Sequence, residues 1–275
     1  DDFIAKPVAL AIEYQLDATV GSQIMNKYQR AGIPVIAVDI PMVGATYFGV
    51  NNFHSGQLAG SALGVWILEH WAGQLDRLLV LEEPRAGALP AARIQGQLAG
   101  LQEVIGPIPD QRCLNLNSGN TSSVSELEVL RALQQLPGLH HIAIVCFNDD
   151  AAIGALRAAQ RLGREEDIAI VGQGADRIIC DELRRPGSRI VGSSAFMPER
   201  YGEKLVDLAL RILHNEAAAP AEFIEKYVPV FEKGWDRTRE ERLARQKQLG
   251  IVPADTVLPP RNPGVKAWDA LSDDE

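Results

Sequence analysis

A chain of 275 residues, 46% of them hydrophobic, is long enough for two ordinary domains or one large one with real cores. Its 27 Lys and Arg against 36 Asp and Glu leave a net charge of -9, which argues against a phosphate-gripping nucleic-acid surface and leaves small neutral or cationic ligands open. No apolar run reaches the roughly 18 residues of a membrane span, and Asp1-Asp2 does not begin a signal peptide, so any targeting segment is expected to have been removed or never present.

In chain order, residues 8–12 read as a strand, 20–30 as a helix, and 33–39 as a second strand introduced by Gly32 and Pro34. The second strand of this β-α-β unit ends at Asp39, at the edge where parallel sheets bind ligands. Residues 46–50 are strand-like, and a polar turn at Asn51-Asn52 leads into a helix over 55–71, whose Gly60 and Gly64 suit close packing. A strand at 78–81 and a loop over 82–90 precede a helix over 91–104. That span puts Arg93 in the first turn, where a cation opposes the helix dipole and needs a ligand, a salt bridge to Glu82 or Glu83, or solvent to justify it.

A strand at 112–116, a small polar loop over 117–123 and a helix to Leu136 follow. The clearest unit spans 142–177: an apolar run at 142–147, a polar stop at Asn148-Asp149-Asp150, a helix over 151–162 ended by Gly163, and a second apolar run at 168–171. Two short apolar runs separated by a helix predict parallel strands buried on both faces, with Asn148 or Asp149 capping the helix. Beyond it come a short helix over 176–185, a strand at 190–193, a long helix over 198–214 and a last strand at 223–230. From about Lys233 the pattern changes to a charged helical stretch and a tail carrying Pro253, Pro259, Pro260 and Pro263.

The five histidines are scattered without the paired partners a zinc site needs, and His140-His141 read as solvated turn residues. There is no phosphate loop and no nucleophile elbow, and Gly172-Gln173-Gly174 lacks the third glycine of a dinucleotide fingerprint. No catalytic residue, metal site or cofactor is expected. Cys113, Cys146 and Cys180, odd in number and lying in or beside apolar runs, read as buried free thiols, with one disulfide possible.

The motifs GIPVIAVD (32–39), GVNNFHSGQLAG (49–60), AARIQGQLAGL (91–101), FNDDAAIGALRAAQRLG (147–163), IAIVGQGAD (168–176) and MPERYGEKLVDLALRIL (197–213) occur in the order of one family. The chain resembles the type I periplasmic binding proteins, the group of ribose-binding proteins and of the ligand-binding part of lactose-repressor-type regulators. The resemblance implies an α/β fold of two lobes, each a parallel sheet flanked by helices. The N-terminal lobe would hold residues 1–51 and 197–222, the C-terminal lobe 52–196 and 223–232, and 233–275 would be a charged, Pro-rich tail. Crossings between lobes would fall near Asn51, near Phe196-Met197 and near 221–223.

By motif position the resemblance makes Asp39 an acceptor of hydroxyl hydrogens, Arg93 a forked donor and Asn148 both donor and acceptor, a mixture suited to a sugar. Tyr14 is a candidate to cover the sugar's apolar face, its alternative being core packing. Three positions depart from ribose binders: Ile40 stands for an arginine, Gly174 for an aspartate and Phe196 for a glutamine, with Gln173 or Asp176 available as a substitute contact. Family members also begin with two β-α units that precede the strand at 8–12. A first lobe without those units would expose an apolar edge, and the expectation is a longer product.

The reading this supports is a solute-binding protein that hands a carbohydrate to the membrane permease of an ABC importer, periplasmic or extracellular and membrane-associated. The alternative is the sugar-sensing part of a cytoplasmic transcription regulator whose DNA-binding domain lies elsewhere, with no nucleic-acid contact from this segment. An enzyme ranks last.

Overall fold

The computed structural model describes residues 3–6, 8–214, 234–249, 252–259 and 270. The chain divides into two compact units, Asp1–Leu213 and His214–Glu275. Among the described residues the first unit holds two parallel sheets.

The first sheet runs in the order β1 (Ala11–Glu13), β2 (Val35–Val38), β3 (Thr46–Phe48). Helix α1 (Ala18–Arg30) joins β1 to β2, and the Asp17 carboxylate caps it by accepting from the Thr19 and Val20 amides. Met25 and Tyr28 on α1 pack with Ala11, Val35, Ala37 and Met42, which form the core on this side. Among the described residues β1 lies at the edge of this sheet, and Ile12 and Tyr14 stay 46% and 58% exposed.

The second sheet has five strands in the order β5 (Cys113–Asn117), β4 (Arg77–Glu82), β6 (Ile142–Cys146), β7 (Ile168–Gly174), β8 (Ile190–Ala195). All its pairings are parallel. Alternate residues serve opposite faces, as a two-residue period dictates. Leu79, Leu81, Ile142, Ile144, Cys146, Ile168 and Ile170 join one core with helices α4 (Ser122–Gln134) and α5 (Asp149–Leu162). Leu78, Val80, Ala143, Val145, Phe147, Ala169 and Val171 join the other with α2 (Asn52–Trp71) and α3 (Ala88–Ile105).

The strand order reverses between β4 and β6, since β4 leads outward to β5 and the chain then returns to β6. In an open parallel sheet that reversal opens a crevice at the carboxyl ends of the strands. Helix α5 starts there, capped by Asn148 Oδ1 accepting from the Ala151 amide at 2.9 Å, and it stops at Gly163 in the left-handed conformation.

Helices α2 and α3 touch backbone to backbone. A Cβ at Gly56 would overlap the carbonyl oxygen of Arg93, and one at Gly96 that of Phe53. This glycine contact fixes α3, and with it Arg93, against the N-terminus of α2.

Helix α6 (Arg177–Leu183) follows β7, and after β8 a 3-10 turn over Pro198–Arg200 leads into α7 (Tyr201–Leu213). Cys113, Cys146 and Cys180 are all free, but only Cys146 is fully buried, whereas burial was expected for each. His140, 67% exposed, is solvated as expected and His141 is half-buried; they also face the Asp167 and Asp76 carboxylates at 2.8 and 3.3 Å. In the second unit the charged stretch forms helix α8 (Gly234–Gln248), from which Arg239 donates to the Pro259 carbonyl at 2.7 Å. The strand expected at 223–230 and the crossing at 221–223 lie outside the described residues.

Candidate functional site

The polar groups gather where the carboxyl ends of the strands open. Arg93 is the centre on the side of the second sheet. Because α3 begins at Ala88, Arg93 sits in its second turn and not the first, so it is held by specific partners and not by opposition to the helix dipole. It is 5% exposed.

Neither Glu82 nor Glu83 pairs with it, since Glu82 accepts from Asn115 and Glu83 from Arg85. Instead Arg93 Nε and Nη2 both donate to Asn52 Oδ1, at 2.9 and 2.7 Å, and Nη1 donates to the Phe147 carbonyl at 3.2 Å. The guanidinium also lies over two rings, 4.5 Å from the centroid of Phe147 and 5.0 Å from that of Phe196. A buried cation with no carboxylate in contact is costly, and amide, carbonyl and aromatic faces together offset the lost water. Burial still pulls its pKa down, against the opposing pull of Asp39 and the phenols of Tyr47, Tyr14 and Tyr201. Of its five N–H donors, two are left without a protein partner among the described residues.

Asp39 is the centre on the side of the first sheet. It follows β2 with φ 59, a left-handed conformation uncommon outside glycine, and its amide donates to the Phe48 carbonyl at 2.8 Å. Its Oδ1 accepts from the Tyr201 hydroxyl at 3.2 Å. Burial raises the Asp39 pKa above its ordinary 3.8, opposed by the Tyr201 hydrogen bond and the charge of Arg93. Tyr14 also senses both charges, its phenol raised first by burial and then by Asp39. The charges of Asp39 and Arg93 bear on each other and on the Tyr14 phenol, and Phe196 lies over Arg93.

Asn148 and Gln173 are engaged by other partners. Both polar ends of the Asn148 amide are engaged, Oδ1 capping α5 and Nδ2 donating to Asn120 Oδ1 at 2.8 Å, although its neighbour Phe147 supplies the carbonyl that Arg93 holds. Gln173 is 1% exposed and turned under α2, where its Oε1 accepts from Ser55 Oγ at 2.8 Å and its Nε2 has no partner among the described residues. Asp176 donates its amide to the buried Asp149 carboxylate at 2.7 Å, and Ser193 donates its hydroxyl to the same group at 2.6 Å, which ties down the loop after β7. Ile40, in the position of the family's arginine, is 3% exposed and joins the apolar cluster of Ala86, Ile94 and Phe147. It links the first sheet to the core of the second.

Three members of the cluster were not singled out from sequence: Asn52, Tyr47 and Tyr201. Asn52 stands in the quoted GVNNFHSGQLAG motif, and a polar residue opening a small-faced helix was the available signal. Tyr201 opens α7 and meets Phe48 edge-on, with ring centroids 5.2 Å apart and planes at 78°. Left-handed residues mark the same strand ends: Asp39 after β2, Asn120 after β5, Ala175 after β7 and Met197 after β8. Backbone strain of this kind, of order 1–3 kcal/mol each, persists where surrounding structure holds it, and it gathers at ligand clamps. Among the described residues no group of three His, Cys, Asp or Glu is placed to hold a metal, and no helix is long and apolar enough to cross a membrane.

Comparison with known proteins places this arrangement. The chain is 24% identical over 205 residues to the ribose import binding protein RbsB of Escherichia coli K12, an alignment covering 73% of this chain and 64% of that one. A shorter stretch of 63 residues is 36% identical to an uncharacterized sulfatase of Schizosaccharomyces pombe, covering 22% of this chain and 11% of that protein. The chain thus spans less than two thirds of either relative. Its fold is similar to a solute-binding protein of an ABC transporter from Agrobacterium vitis, solved with alpha-D-tagatopyranose, with a TM-score of 0.65 at 20% identity over 80% of this chain and 74% of that one. Residues 1–217 match the model of the family described as periplasmic binding protein domain, and the chain belongs to that family.

Proposed function

We propose that this chain clamps a sugar or related polyol between its two sheets and forms the ligand-capturing part of a solute-binding protein that serves an ABC-type importer. The observation that carries the proposal is that Asp39, at the end of β2, and Arg93, on α3, bear electrostatically on each other, with Phe147 and Phe196 against the guanidinium and the Tyr201 hydroxyl on the carboxylate. A carboxylate accepts from hydroxyls and a guanidinium donates to them, while rings cover the C–H face, which is the complement a sugar asks for. Ile40 in place of a cation makes the Asp39 side of the cleft less polar than in a ribose binder, so ribose itself is a poor first choice of guest.

In this reading the lobes are 1–51 with 197–222 and 52–196 with 223–232, and closure about the crossings turns binding into a shape that a permease recognises. The place of work is periplasmic or extracellular, and the protein binds without turning its guest over.

Thermal-shift measurements against a sugar and polyol panel test the proposal, because a ligand bound only by the folded state raises Tm by mass action. A rise with at least one member is expected. No rise with any would remove the ligand class.

A second reading, the effector part of a sugar-responsive regulator, is favoured by one observation: Cys113, Cys146 and Cys180 are all free thiols, as in reducing compartments. A full-length product opening with an apolar signal segment supports the importer, and one opening with a DNA-binding helical pair supports the regulator.

A further inference from the structure

Asp39 has lost a neighbour and gained another. In the resemblance to ribose binders a cation stands beside this carboxylate, and here Ile40 occupies that position and is buried in the apolar core. What approaches the carboxylate instead is the Tyr201 hydroxyl, which donates to Oδ1 at 3.2 Å. The second oxygen, Oδ2, has no protein donor among the described residues.

The phenol is held in place from two directions. Its ring meets Phe48 edge-on, and Phe48 belongs to β3, which pairs with β2 immediately before Asp39. Its backbone opens α7 directly after the 3-10 turn that follows left-handed Met197. The same crossing that brings the chain back from β8 therefore delivers the hydroxyl to the carboxylate. On the other flank, the backbone comes close at Gly49, where a Cβ would lie 3.0 Å from Asp39 Oδ1.

We propose that Tyr201 is a specificity-determining residue of the cleft: its hydroxyl takes one lone-pair position of Asp39 Oδ1, an oxygen that the Gly49 backbone also crowds, so that a guest is held chiefly through Oδ2 and a lone hydroxyl is accepted nearly as well as a vicinal pair. An unobstructed carboxylate takes two adjacent hydroxyls, one on each oxygen, and discriminates against a deoxy analogue that strands one of them. With one lone pair of Oδ1 taken by the Tyr201 hydroxyl and the Gly49 backbone close to the same oxygen, the second hydroxyl of a diol gains little at this corner. The proposal rests on the polyol reading above and deepens it, assigning to the site polyols or deoxy sugars that present one donor to Asp39.

The test is calorimetric titration of the full chain with matched pairs: D-ribose and 2-deoxy-D-ribose, D-glucose and 2-deoxy-D-glucose, D-galactose and 2-deoxy-D-galactose. Tyr201→Phe keeps the ring and its contact with Phe48 while removing the hydroxyl. Tyr201→Met removes the hydroxyl through a different side chain and is run beside it, with Tm recorded for both. The ratio of diol to deoxy affinity is expected to stay within about threefold of unity in the natural chain and to rise by about tenfold in both variants, the scale of one recovered hydrogen bond. A role in packing alone would weaken both members of a pair equally and leave the ratio unmoved, which overturns the proposal. If sugars bind and Asp39→Asn weakens them while the ratio holds in both variants, the Tyr201 proposal falls and the polyol reading stands. If no member of any pair binds the natural chain, both fall together.

Discussion

The two sheets of the first unit carry the two charged residues of the candidate site under different physical conditions. The five-stranded sheet is covered on both faces, by α2 and α3 on one and by α4 and α5 on the other, with strands β6 and most of β7 shielded from solvent. The three-stranded sheet has one small core against α1 and an edge strand with Ile12 and Tyr14 exposed. On the first platform Arg93 can be buried as a cation, because surrounding groups are fixed and satisfy it. On the second, Asp39 stands on a left-handed residue and takes its partner Tyr201 from a distant part of the chain. The first platform thus carries a donor held by fixed partners, and the second an acceptor held on a strained backbone residue, a pairing that suits the clamp proposed above.

The largest test of this contrast is Gly96→Leu. A side chain there collides with the Phe53 carbonyl and forces α2 from α3, at a cost of about 3 kcal/mol or more measured by urea unfolding, with Arg93 displaced as well. Next comes Arg93→Ala, which strands Asn52 Oδ1 and the Phe147 carbonyl and should cost stability by about 1–3 kcal/mol as well as abolishing ligand binding. Asn148→Ala removes the α5 cap, at about 1 kcal/mol of stability, and is expected to weaken binding through the shifted Phe147 carbonyl. Asp39→Ala should separate the two properties: binding falls by about 1–3 kcal/mol while the melting temperature changes little, because relief of a half-buried carboxylate offsets the lost Tyr201 hydrogen bond and the poorer fit of alanine to left-handed backbone.

Acidity sharpens the contrast most gently. The folded pKa of Asp39 is raised, so its protonated form is favoured by folding, and its contribution to stability is present below 3.8 and lost as pH rises through the raised folded value. Binding runs the other way. As pH falls through that raised value the acceptor is neutralised and affinity drops, with Tyr201, Arg93, Tyr14 and Tyr47 the groups that face it. On the side of the five-stranded sheet, Asp167 is depressed by its hydrogen bonds to His140 and Arg164, and Asp76 by those from the His140 and His141 amides. Their stabilisation is present above 3.8 and lost only as pH falls through values lower still. Affinity titrated against pH should therefore decline before the melting temperature does.

Much of this fold was legible because parallel buried strands and capped helices leave local marks. The run IAIVCFND gave β6 and the cap of α5, since continuous apolar residues followed by Asn are hard to satisfy in another way. Bounds shifted where the deciding contact was distant: α3 begins at Ala88 because Gly87 turns the chain there, so the expected opposition between Arg93 and the helix dipole does not arise. Asp39, Arg93 and Tyr14 could be named from motif order, and the charges of the first two bear on each other and on the Tyr14 phenol. Gln173 was read as a ligand contact from its place at a strand end, yet the two-residue alternation turns it under α2, on the same face as Val171. Tyr201 could not have been found, because its bond to Asp39 joins residues 162 positions apart and no local pattern records it.

The central claim is that Asp39 and Arg93 meet around one hydroxyl-rich guest, and calorimetric titration of D-tagatose, D-ribose and myo-inositol into the natural chain and into Asp39→Ala tests it most directly. The account predicts saturable one-to-one binding of at least one of them by the natural chain, weakened about 10- to 100-fold by the substitution. Equal affinity in the two proteins, or no heat of binding from any of the three, would contradict it.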